Sequence, residues 1–161
     1  MRGLYLITND DPFQLLLEKL QVALATGQIA ILQYRRKKVA KADQMFEVEK
    51  IKTLCEKYHV PFIINDDIAL AVQFGLGVHL GQSDGAITAA IQRLPKGAII
   101  GRTCLNSLGL AQQAITEGAT YVAFGAVYAS STKPQAGLVG LDIIQQAKQK
   151  FAVPICTIGG L

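Results

Sequence analysis

Cysteine is scarce in this sequence, and the three present, Cys55, Cys104 and Cys156, are odd in number and far apart. Such spacing supplies neither a zinc pattern nor a disulfide framework and suits a reducing compartment, so buried structural thiols are expected. Long apolar runs are absent too. Stretches such as Ile29–Leu32 and Ala98–Ile100 fall far short of the roughly 20 residues that cross a bilayer, which predicts no membrane contact. The N-terminus, Met-Arg-Gly-Leu-Tyr-Leu-Ile-Thr-Asn-Asp-Asp, has no apolar core or small-residue cleavage site of a secretory signal, and a cytoplasmic protein is expected. Aromatic residues are only 7% of the chain and the net charge is +4, an excess that an anionic small substrate explains as well as nucleic acid does.

Low-complexity segments and linker-like runs are also missing, which predicts a single domain over residues 1–161. What is present is the composition of a globular core, 50% hydrophobic and 17% charged. Seven short apolar runs read as strands: Leu4–Thr8, Ile29–Arg35, Pro61–Asp66, Gly77–Gln82, Ala98–Thr103, Tyr121–Ala126 and Pro154–Gly159. Segments with apolar residues three and four apart, such as Phe13–Leu24, Met45–Tyr58, Ile68–Phe74 and Leu108–Ile115, read as amphipathic helices between them. Such alternation predicts an α/β protein with a parallel sheet, and strands apolar almost throughout fit burial on both faces. No Gly-x-Gly-x-x-Gly follows the first strand, which favours a (β/α)8 TIM barrel over the dinucleotide fold. A complete barrel usually has eight strands and at least about 200 residues. The expectation is therefore a barrel truncated after its seventh strand and lacking its last β/α unit. Its first and last strands would each expose an edge, which predicts a homo-oligomer or an incomplete barrel.

Every predicted strand ends in polar or glycine-rich residues, and a barrel gathers those ends on one face. Gln33, Arg35 and Lys37 lie two apart, so while the strand persists they share one face, with Tyr34 and Arg36 on the other. Alternatively, Arg35 to Lys38 is a solvated charge run opening a loop. Asp66 and Asp84, at the ends of neighbouring strands, offer two oxygen ligands of the kind that hold Mg²⁺ when phosphates complete the octahedron. Asp67 reads as the N-cap of the helix that follows. Ser130, Ser131, Thr132 and Lys133 could hold phosphate oxygens or form an ordinary polar turn. Gly159-Gly160 falls where barrels commonly bind phosphate through backbone N–H groups, although a double glycine is otherwise nonspecific. His79, inside an apolar run, and His59, at a helix end, read as structural. The sequence offers no acid–base dyad.

Together, Tyr5-Leu-Ile-Thr8, Gln33-Tyr-Arg-Arg-Lys37, Phe62-Ile-Ile-Asn-Asp-Asp67, Gly77-Val-His-Leu-Gly-Gln-Ser-Asp84, the run from Gly125 to Lys133, and Ile158-Gly-Gly160 resemble the thiamine-phosphate synthase family over the whole chain, in the right order. The resemblance implies a transferase of thiamine biosynthesis that condenses a hydroxymethylpyrimidine pyrophosphate with a thiazole phosphate, releases pyrophosphate and requires Mg²⁺. It implies pyrimidine pyrophosphate contacts from Gln33, Tyr34, Arg35, Arg36, Lys37, Asn65, Thr103 and Lys133. Of these, Arg35, Lys37, Lys133 and Thr103 would be catalytic. Asp66 and Asp84 would be the metal ligands, and Ser130, Ser131, Thr132 and Gly160 would meet the thiazole phosphate. The partners so implied are phosphorylated small molecules rather than nucleic acid. Three positions depart from the family pattern. Arg102 replaces an apolar residue, Leu105 stands where histidine is usual, and Ala129 replaces a proline before the phosphate loop. Rival readings are a thiazole tautomerase, which has no need of Gln33, Arg35 and Lys37, an inactive phosphate-ligand binding fragment, and a nucleic-acid binder using Arg35 to Lys38.

Overall fold

A computed structural model describes residues 2–128 and 140–159. Its elements run β1 (Leu4–Ile7), α1 (Phe13–Ala25), β2 (Ile29–Tyr34), α2 (Lys41–Lys57), β3 (Phe62–Asn65), α3 (Ile68–Phe74), β4 (Gly77–Leu80), α4 (Ile87–Arg93), β5 (Ile100–Thr103), α5 (Leu108–Glu117), β6 (Tyr121–Gly125), α6 (Leu141–Lys150) and β7 (Ile155–Ile158). The strands form one sheet in the order β1-β2-β3-β4-β5-β6-β7, and every neighbouring pair is parallel. Among the described residues no helix is long and apolar enough to cross a membrane.

The helices form where apolar residues recur one turn apart. Leu16, Leu20 and Leu24 of α1 are buried, as are Val48, Ile51 and Cys55 of α2, the pattern of an amphipathic helix laid on a sheet. Asp67 and Ser107 cap α3 and α5 by accepting from the backbone N–H groups of Leu70 and Leu110. Gly75 and Gly118, at φ +65° and +106°, end the same two helices in the left-handed conformation that glycine adopts without steric cost.

Both faces of the sheet are buried, because consecutive strand residues enter different clusters. Leu32, Ile64 and Val122 pack outward beneath the helices, whereas Ile31, Ile63 and Tyr121 pack inward with Tyr5, Ile99 and Cys156. The inward cluster exists because the sheet curls. In a flat sheet β1 and β6 would lie about 24 Å apart, at roughly 4.8 Å per strand. The hydroxyls of Tyr5 on β1 and Tyr121 on β6 are instead 2.8 Å apart. The fold is thus seven strands of a nearly closed β/α barrel of TIM type. Among the described residues it is open between β7 and β1.

Candidate functional site

At the end of β2 the side chains divide by face. Gln33 is buried and points inward, its Nε2 donating to Tyr5 OH at 2.9 Å. Tyr34 and Arg36 point outward and both reach Glu47 of α2. Tyr34 OH donates to Oε2 at 2.6 Å, and Arg36 donates from Nε and Nη2 at 2.9 Å each. Arg36 Nη1 also donates to the carbonyls of Asn9 and Asp11, at 2.8 and 2.5 Å, and so ties down the β1–α1 loop. Tyr34 and Arg36 thus share a partner behind the sheet, although β2 itself ends at Tyr34. The Arg35 backbone N–H donates to Thr8 Oγ1 at 2.7 Å, joining the ends of β1 and β2. Lys37 extends across to β3, its Nζ 3.8 Å from Asp66 Oδ2.

The two candidate metal carboxylates meet. Asp66 follows β3 with φ +63°, a left-handed conformation that aspartate tolerates better than most residues, and its N–H donates to the His79 carbonyl at 2.8 Å. Asn65 Nδ2 donates to its Oδ2 at 2.6 Å. Burial raises the Asp66 carboxyl above the usual range, as do a side-chain hydrogen bond with Asp84 and that group's negative charge, while Lys37 pulls it down. Asp84 arrives through the β4–α4 loop and folds back against Gly81, where even a Cβ would overlap its Oδ2. Two carboxylates from the ends of neighbouring strands are a donor set that fits Mg²⁺, with waters or phosphate oxygens completing the octahedron. Among the described residues no third His, Cys, Asp or Glu joins them.

A chain of hydrogen bonds crosses the interior between the two halves of the site. Gln33 Nε2 donates to Tyr5 OH, which lies 2.8 Å from Tyr121 OH. That hydroxyl lies 2.6 Å from His79 Nδ1, and His79 Nε2 lies 2.8 Å from Thr103 Oγ1. Burial lowers His79 to about 4, so the ring is neutral near pH 7 and accepts at one nitrogen while donating at the other. The chain can run in either direction, because a phenol oxygen can accept twice and donate once, so the His79 tautomer and the hydroxyl rotors set one another.

Gln33, Arg35, Lys37, Asn65, Asp66, Asp84 and Thr103 therefore lie at the carboxyl ends of β2 to β5. Tyr34 and Arg36, which the resemblance assigns to the pyrimidine pyrophosphate, stand apart, because their side-chain donors are engaged by Glu47 behind the sheet and by the carbonyls of Asn9 and Asp11. Lys133, Ser130, Ser131, Thr132 and Gly160, and the departure at Ala129, lie outside the described residues. Sequence reasoning missed Glu47 and the Tyr5–Tyr121 pair. The signal for Glu47 was the energetic cost of burying charge: the cation that goes under is Arg36, at 6% exposure, and it requires an acid.

Parallel strands curled into a barrel, with cations, carboxylates and amides gathered at their carboxyl ends, define a β/α-barrel protein whose candidate site lies at the usual face of that fold. The chain belongs to the thiamine monophosphate synthase family, whose profile matches residues 4–161. It is similar to thiamine phosphate pyrophosphorylase from Pyrococcus furiosus, with a TM-score of 0.83 and 29% identity over 99% of this chain and 75% of that one. It also superposes on 3-dehydroquinate dehydratase from Geobacillus kaustophilus, with a TM-score of 0.68 at 12% identity over 99% of this chain and 74% of that one, a likeness of fold alone.

Proposed function

We propose that this chain condenses 4-amino-2-methyl-5-(diphosphooxymethyl)pyrimidine with a thiazole phosphate, giving thiamine phosphate and pyrophosphate. Family membership supports the class of reaction. The observation that carries the reading is the meeting of Asp66 with Asp84 and Lys37, from three strand ends, at one point of the site. In the substitution, the bond from the pyrimidine methylene to the diphosphate oxygen breaks with its electron pair leaving on pyrophosphate. The thiazole nitrogen lone pair then forms the new C–N bond to that cation-like carbon. The nucleophile belongs to the substrate, which accords with a sequence that offers no acid–base dyad.

The protein's task is then to stabilise a leaving group of about three negative charges. Arg35, Lys37 and Lys133 supply cations. Mg²⁺ held by Asp66 and Asp84 would place further positive charge on the diphosphate oxygens. Gln33, Asn65 and Thr103 orient the pyrimidine, and Ser130, Ser131, Thr132 and Gly160 receive the thiazole phosphate. Tyr34 and Arg36 act behind the strand, by fixing β2 to Glu47. The test is to supply both phosphorylated precursors with Mg²⁺ and follow thiamine phosphate and pyrophosphate. Equal amounts of the two products, dependent on Mg²⁺, are expected. No thiamine phosphate at saturating substrates would refute the proposal.

A further inference from the structure

We infer that Arg102 is a positioning residue that sets Asp84 in place by clasping the β4–α4 loop from the outer side of the barrel. The inference rests on the proposed role of Asp84 as a metal ligand. Along β5, Ile100 packs in the outer core, and Gly101 faces inward, where a Cβ would overlap the Tyr121 ring. Alternation returns Arg102 to the outer face and sends Thr103 inward to His79. The Arg102 guanidinium is therefore not in the site. Its Nη1 donates to the carbonyl of Gly81 at 2.8 Å and to that of Gly85 at 2.9 Å, the two ends of the segment that carries Asp84.

Two further contacts make this a grip on the carboxylate rather than on a loop at large. The Gly81 carbonyl held by Arg102 also accepts the Asp84 backbone N–H at 3.3 Å, and the Asp84 carboxylate folds back over the Gly81 Cα. Gln82 adds a second tie to the same strand, donating its side-chain amide to the Thr103 carbonyl. One cation thus closes the turn whose shape determines whether Asp84 meets Asp66. An apolar residue at 102 has no donor for either carbonyl, so this chain orients Asp84 through a charge-assisted clasp.

The experiment compares wild type with Arg102→Met and Arg102→Lys by amide hydrogen exchange and by Mn²⁺ titration followed through the free-ion EPR signal, with Asp84→Asn as the reference for a lost ligand. In Arg102→Met, exchange should quicken several-fold at residues 82–86 and stay unchanged in β6 and α5. Mn²⁺ affinity should fall by about tenfold, as when an outer-shell partner is removed elsewhere. Arg102→Lys, which retains a cationic donor, should recover part of both. Unchanged exchange in Arg102→Met overturns the inference whatever the metal does, and so does quickened exchange with unchanged Mn²⁺ affinity. Wild-type protein that takes up no Mn²⁺ while Arg102 still protects residues 82–86 overturns the metal reading of Asp66 and Asp84 and leaves the clasp standing.

Discussion

Arg36 and Glu47 are 6% and 4% exposed, and their bidentate contact is completed by Tyr34 OH and by the carbonyls of Asn9 and Asp11. Glu47→Ala leaves a guanidinium buried against a phenol with nothing to neutralise it. It should destabilise the protein by about 3–5 kcal/mol, read as a lowered denaturant midpoint. Glu47→Gln, which keeps one acceptor, should fall between; a loss below about 1 kcal/mol in Glu47→Ala would mean that the pair is not structural. Within the site the effect moves to rate. Asp66→Ala and Arg35→Ala should each lower turnover by roughly 10²-fold, the scale seen when a preorganised charge-stabilising group is removed. Near-wild-type rates in both would remove the charge-stabilisation mechanism. At this scale the sequence was legible where a residue's role depends on its neighbours in the chain. Asp67 caps α3 as its place before an apolar run predicts, and the division of Gln33 from Tyr34 and Arg36 follows from strand periodicity. It was illegible where the partner is distant in sequence, as Glu47 is from Arg36 and Tyr121 from Tyr5.

Elements were legible in proportion to their apolar pattern. All seven strands form where β-branched runs predict them, most ending a residue or two earlier because the final polar residues turn into the site loops. Helix α2 begins at Lys41, not Met45, since its first turn, Lys41 to Gln44, carries no large apolar residue to reveal the period. Helices α4 and α6 go beyond the four named from periodicity. The first is 7 residues long, and the second buries only Ala147. Strand packing itself can be tested at Gly101. An alanine there drives its Cβ into the Tyr121 ring, with Thr103–His79 directly beyond. Overpacking of this kind costs about 1–3 kcal/mol, so Gly101→Ala should melt earlier and broaden the aromatic NMR signals of Tyr121. Gly140→Ala, where a Cβ meets nothing among the described residues and φ is −65°, should stay within about 0.5 kcal/mol of wild type. Equal stability of the two variants would show that β5 does not need its glycine.

The barrel's curl and its polar interior are linked, because a sheet closed tightly enough to bring Tyr5 against Tyr121 also buries His79 among them. Folding therefore holds His79 neutral down to about pH 4, whereas in the unfolded chain it takes a proton below its ordinary value of 6.5. Between those values the unfolded state binds more protons, so the stability associated with the neutral ring is complete above pH 6.5. It is lost progressively as pH falls towards 4, by roughly 3 kcal/mol in all. Asp66 works in the opposite direction. Its carboxyl is raised in the fold, so its contribution is present at low pH and is lost as pH rises through the carboxylate range. That opposing effect is common to wild type and His79→Gln and cancels in their difference. Unfolding free energies measured by denaturant titration from pH 7 to pH 4.5 should fall more steeply in wild type than in His79→Gln, whatever the variant's absolute stability. Parallel curves would mean that protons reach His79 in the folded barrel, and that the hydrogen-bonded chain from Gln33 to Thr103 is not sealed by the closure of the sheet.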